Sequence, residues 1–161
     1  MIRRLALALT AVLALGACHD PGKAAEKPAA DTGANAAFLA NNAKQPGVVT
    51  LPDGLQYKIV TSGPATGVPP KEVDEVKVNY EGKLLDGTVF DSSFARGQPA
   101  AFPLEGLVPA WVKALQLMRP GDEWTLWVPP AMGYGDEAKG PIPANSIMVF
   151  RIQLLDVRRA Q

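Results

Sequence analysis

Beyond about residue 46, glycine and proline cut the chain into short segments, and within those segments apolar and polar side chains alternate. That alternation is the strongest constraint on the fold. A period of two places every second side chain on the same face of an extended strand, so segments of this kind bury one face and leave the other in water. Val76, Val78 and Tyr80 share one face, while Lys77, Asn79 and Glu81 share the other. Leu55 to Val60, Glu123 to Val128 and Ile147 to Val157 read as further strands, with Asp53-Gly54 and Ser62 to Lys71 as turn and loop. Between Leu84 and Phe90, the Asp86-Gly87 pair predicts a hairpin, because both turn residues tolerate positive φ.

Only one stretch carries convincing helical spacing. Trp111, Leu115 and Met118 recur three to four residues apart within Val108 to Met118, Pro109 suits a first helical turn, and Arg119-Pro120-Gly121-Asp122 ends the run. The expectation is an α+β domain: an antiparallel sheet of about five strands, curled as a half-barrel over one short helix.

The rare residue types exclude several chemistries. Cys18 is the only cysteine and His19 the only histidine. Downstream of them the chain can form no Ser-His-Asp triad, Cys-His pair, intramolecular disulfide or zinc site of ordinary ligands. No metal and no cofactor is expected. Lys plus Arg equals Asp plus Glu at 16 each, so no basic field exists to attract nucleic acid.

The N-terminus reads as an address. Arg3-Arg4 precedes an apolar run from Leu5 to Leu15, too short to span a bilayer, so residues 1–17 are expected to be a secretory signal peptide. Leu15-Gly16-Ala17-Cys18 resembles the lipobox of bacterial lipoproteins, which implies cleavage before Cys18 and a lipid on it. Residues 18–45 are rich in Ala, Lys, Pro and Asn and are expected to form a mostly disordered tether. Within it, Asn35 to Ala43 could make a short helix that docks Phe38 and Leu39. The folded domain then spans 46–161.

From about Gly47 to Val157 the chain resembles the FKBP-type peptidyl-prolyl isomerases. The resemblance is carried by Val78-Asn79-Tyr80-Glu81-Gly82, Asp86-Gly87-Thr88-Val89-Phe90-Asp91-Ser92-Ser93, Val108-Pro109-Ala110-Trp111, Met118-Arg119-Pro120-Gly121, Met132-Gly133-Tyr134-Gly135, Ile142-Pro143-Ala144-Asn145 and Val149-Phe150. Leu51 to Lys58 is similar to the macrophage-infectivity-potentiator branch, whose members are typically exported. The resemblance implies an apolar pocket for a prolyl ring, with Trp111 as floor, Tyr80, Phe90, Phe102 and Phe150 as walls, and Leu107, Val108 and Ile142 at the rim. It makes Asp91 the buried polar group facing the twisting amide, with Arg96 balancing its charge. Tyr134, and the Val108 backbone N–H, would offer hydrogen bonds to a substrate carbonyl. Ala100 departs from the pattern where many members carry an aromatic wall, the Asp136 to Pro141 loop differs from the best-known version, and the segment before Val108 is shorter.

Rotation about an X-Pro bond must overcome lost amide resonance, a barrier near 20 kcal/mol, and it moves no proton. A catalytic base is therefore unnecessary. The implied function is prolyl isomerisation of unfolded or partly folded exported proteins in the bacterial periplasm, by a lipid-anchored monomer that binds macrolide inhibitors. Two other classes compete: a chaperone or peptide clamp that binds without turnover, and a passive lipoprotein spacer. Retention of Asp91 and Tyr134 argues against the spacer, because a polar group in an apolar cleft is costly to keep.

Overall fold

The computed structural model describes residues 29–160. The expected signal peptide, Cys18 and the first part of the tether lie outside the described residues. Seven strands make one antiparallel sheet: β1 (Val48–Thr50), β2 (Gln56–Thr61), β3 (Glu75–Leu84), β4 (Val89–Ser92), β5 (Ala100–Pro103), β6 (Glu123–Val128) and β7 (Met148–Arg158). Their order is β1-β2-β6-β7-β3-β4, with β5 paired to β3. The expected count of five is corrected to seven. β1 and β5 are three and four residues long, too short to display a period, and exist through pairing with β2 and β3.

The alternating segments fold as their pattern demands. Val76, Val78, Tyr80 and Leu84 on β3 are buried, as are Trp124, Leu126 and Val128 on β6, and they join Phe150, Ile152 and Leu154 of β7 in one core. β3 pairs with β7 along its whole length, Glu75 opposite Arg158 and Leu84 opposite Met148. The Asp86-Gly87 turn forms between β3 and β4, with Gly87 at φ 85° and the Thr88 N–H donating to the Asp86 carboxylate at 2.9 Å.

Among the described residues two α-helices complete the fold, α1 (Thr32–Asn42) and α2 (Pro109–Leu115). Pro109 occupies the first turn of α2, where its missing N–H costs nothing. Ala110, Trp111, Ala114 and Leu115 are buried from this helix, and Met118 joins the core just after its end, so the Trp111, Leu115 and Met118 stripe faces the sheet.

Helix α1 bears out the short helix expected from Asn35, ending one residue sooner at Asn42, and corrects the expectation of a disordered tether for residues 32–34. Asp31 caps it, accepting from the N–H groups of Gly33 and Ala34 at 2.8 and 3.3 Å, which starts it three residues before the expected Asn35. It is held to the domain by amides more than by apolar docking. Phe38 and Leu39 are half-buried, whereas Asn35 is the one buried residue of the helix. Gln56 donates to the Leu39 carbonyl and accepts from the Asn42 amide, both at 2.8 Å, tying the helix end to β2.

Candidate functional site

Between α2 and the concave face of the sheet lies a cavity of about 450 Å³. Trp111, buried in the first turn of α2, forms its floor. Around it the rings meet edge to face: Trp111 to Phe150 at 5.3 Å and 87°, Trp111 to Tyr80 at 5.2 Å and 84°, and Trp111 to Phe102 at 6.3 Å and 82°. Phe90 extends the wall, set edge-on to Phe150 at 5.6 Å. Perpendicular packing directs each ring's positive edge at a neighbour's negative face, which fixes the walls as well as attracting them.

Tyr80 and Phe150 come from adjacent strands, where Tyr80 opposes Ile152 and Gly82 opposes Phe150. Gly82 is required there. A β-carbon on it would lie 2.5 Å from the Phe90 ring and 2.7 Å from that of Phe150, so only glycine lets both rings close over β3.

One edge of the cavity is polar. The Tyr80 hydroxyl donates to one oxygen of Asp91, Arg96 pairs with the other, and the second guanidinium nitrogen donates to the Tyr80 hydroxyl at 2.9 Å. The guanidinium carbon also sits 5.5 Å from the centre of the Tyr80 ring. Desolvation and the Asp91 carboxylate raise the Tyr80 phenol above its ordinary range. Burial alone would raise Asp91, but the hydrogen bonds from Tyr80 and Arg96 outweigh it and hold the carboxyl below the usual 3.8. Asp91 is not the buried group expected from sequence: its side chain is 43% exposed while it lines the cavity and pairs with Arg96.

A loop supplies another part of the lining. Tyr134, Pro141 and Ile142 belong to it, with Tyr134 on the solvent side at 39% exposed and Ile142 buried. Leu107 and Val108 line the cavity at the mouth of α2, and the Val108 carbonyl accepts from the Trp111 N–H at 2.9 Å. At the floor, the indole N–H of Trp111 is buried without a hydrogen-bond partner among the described residues.

Ten of the eleven pocket residues read from sequence therefore line one cavity: Tyr80, Phe90, Asp91, Phe102, Leu107, Val108, Trp111, Tyr134, Ile142 and Phe150. Arg96 stands behind Asp91 as a partner rather than a lining group. Gly106 and Pro141 also line the cavity, and neither carries side-chain chemistry that marks it in the sequence. Ala100, where the family pattern often carries an aromatic wall, packs half-buried against the core from β5. Among the described residues, no cluster of three or more Asp, Glu, His or Cys is placed to hold a metal ion.

This fold and cleft define a class. Residues 67–155 match the model of the FKBP-type peptidyl-prolyl cis-trans isomerases, and residues 14–59 match that of the domain amino terminal to such isomerases. The chain belongs to the FKBP-type peptidyl-prolyl cis-trans isomerase family. It is 48% identical over 124 residues to the peptidyl-prolyl cis-trans isomerase Mip of Coxiella burnetii, covering 76% of this chain and 53% of that one. The FKBP-type 22 kDa isomerase of Escherichia coli is 46% identical over 121 residues, covering 74% and 58%. Among solved structures, FkpA from Escherichia coli superposes with a TM-score of 0.76 at 40% identity, covering 80% of this chain and 60% of that one. A peptidyl-prolyl cis-trans isomerase from Pseudomonas syringae gives 0.73 at 37%, covering 79% and 92%. The chain spans about half the length of the curated relatives it matches.

Proposed function

We propose that this protein accelerates cis-trans rotation about X-Pro bonds in exported polypeptides. The observation that carries the reading is the convergence of Tyr80, Phe90, Phe102 and Phe150 on the Trp111 indole, with a single carboxylate at the rim. A prolyl ring has the size and polarity to sit on that indole. Tyr134 and Val108 both line the cleft, and the Tyr134 hydroxyl and Val108 N–H are the groups to hold the carbonyls flanking the imide.

The catalysis follows from solvation. A planar imide is strongly dipolar and well hydrated, whereas the twisted one has less charge separation. Transfer into an apolar cleft therefore penalises the flat ground state more than the rotated one. Asp91, kept ionised by Tyr80 and Arg96, adds a fixed field at the rim without moving a proton. Bringing tens of seconds down to milliseconds takes about four decades, or roughly 5.5 kcal/mol, within reach of desolvation plus a few oriented contacts.

Residues 1–17 act as a signal peptide, Cys18 carries the lipid, 18–45 link it to the domain at 46–161, and the protein works as a monomer at the cell envelope. The Legionella longbeachae relative is named an outer membrane protein, which supports an envelope address. Among the described residues no helix is long and apolar enough to cross a membrane. A protease-coupled assay on an Ala-Leu-Pro-Phe peptide tests the activity: isomerisation faster than the uncatalysed rate supports it, and an unchanged rate rejects it.

A further inference from the structure

The loop that walls one side of the cleft is held from outside the domain core. Its residue Asn145 adopts φ 57°, the left-handed region, and is the sole non-glycine among the described residues to do so. Asparagine tolerates that region better than most side chains, and here its backbone is also held by neighbours. Three contacts hold it. The Asn145 N–H donates to the Gly135 carbonyl at 2.8 Å, the Asn35 side-chain amide donates to the Asn145 carbonyl at 2.5 Å, and the Ala30 N–H donates to the Ala144 carbonyl at 2.9 Å. Two of these three come from the segment at the start of α1.

Asn35 is a costly residue to place there without purpose. It is 8% exposed and is the buried residue of its helix, and its amide reaches a carbonyl 110 positions away. Ile142 and Pro141, which line the cleft, lie three and four residues before Asn145; Tyr134, which lines it too, precedes the Gly135 that Asn145 binds. Fixing Asn145 therefore fixes the backbone on both sides of the substrate edge.

Resting on the isomerase reading above, we propose that Asn35 is a positioning residue for the prolyl site: through Asn145 it sets the rim loop carrying Tyr134 and Ile142, so α1 tunes substrate affinity from outside the catalytic domain. Losing one such bond should weaken peptide binding roughly three- to tenfold. The effect belongs in KM, with kcat changed less, because Trp111 and Asp91 are untouched.

The test compares Asn35→Ala with Asn42→Ala in the full chain. Asn42 anchors the other end of the same helix to Gln56, and among the described residues its side chain has no hydrogen bond to the loop. Two readouts are needed: KM and kcat on the Ala-Leu-Pro-Phe peptide, and amide hydrogen exchange across residues 134–146. The proposal expects Asn35→Ala to raise KM and speed exchange in the loop, and Asn42→Ala to do neither. Equal KM shifts in both variants, or unchanged loop exchange in Asn35→Ala, overturns it. Should Asn35→Ala not fold, Asn35→Ser, which retains a shorter polar group, serves with the same criteria. Loop exchange is read without turnover, so an inactive wild-type chain would reject the isomerase reading while leaving the Asn35 clamp supported or overturned by exchange alone.

Discussion

The ring of Phe90 lies directly over Gly82, so closely that a β-carbon there would stand 2.5 Å from its Cε2 atom. The cleft's far wall thus depends on a missing side chain in β3. Gly82→Ala should push Phe90 and Phe150 out of their perpendicular arrangement and cost about 1–3 kcal/mol, as overpacking of a filled site does. Urea denaturation should show that loss, and peptide turnover should fall further than the folded fraction accounts for.

Gly63 gives the contrasting case. A β-carbon on it would collide with the carbonyl oxygen of Pro120, a backbone atom that cannot swing aside, and its N–H donates to the buried Asp122 at 2.6 Å. Neither residue lines the cleft. Gly63→Ala should therefore destabilise by at least about 1–3 kcal/mol while kcat/KM, corrected for folded protein, stays at the wild-type value. A thermal melt alongside the peptide assay separates the two effects.

Tyr80→Phe removes only the hydroxyl shared by Asp91 and Arg96 and keeps the ring against Trp111. In the wild type the fold favours ionised Asp91, so its contribution to stability is present above the ordinary pKa of 3.8 and is lost as pH falls through the lower folded value. Without the phenol, the Asp91 titration midpoint should move up toward 3.8, and that acid-side loss should begin at higher pH. Carboxyl carbon shifts followed by NMR across the acid range measure it. A midpoint that stays put would mean Arg96 alone sets the charge.

Trp111→Ala removes the floor. Truncating a buried tryptophan costs about 3–5 kcal/mol, so the variant should be markedly less stable, and the folded remainder should have lost most of its isomerase activity. Trp111→Leu, which refills part of the volume, should recover stability more than activity. Denaturation and turnover on the same samples check both.

The strands with a visible period, β3, β6 and β7, and the Trp111, Leu115 and Met118 stripe were legible because burial imposes period two or three to four on the side chains. β1 and β5 were not, since three or four residues carry no period and their existence depends on partners distant in sequence. The aromatic walls could be read because their spacing resembles a family pattern. The exposure of Asp91 could not, as a motif match does not report how far a side chain sits from solvent. Helix α1 was anticipated only in outline: its cap at Asp31 is local and readable, but Asn35 looks like any polar surface residue until Asn145 is seen beside it.

The central claim is that an apolar cleft favours the rotated imide with no proton in flight. NMR exchange on an Ala-Leu-Pro-Phe peptide, run in H2O and D2O between about pH 5 and 9, where neither Asp nor Tyr normally titrates, tests it most directly. Acceleration by about four decades, flat with pH and equal in the two solvents, is the expected result. An uncatalysed rate, or one that drops severalfold in D2O, would contradict it.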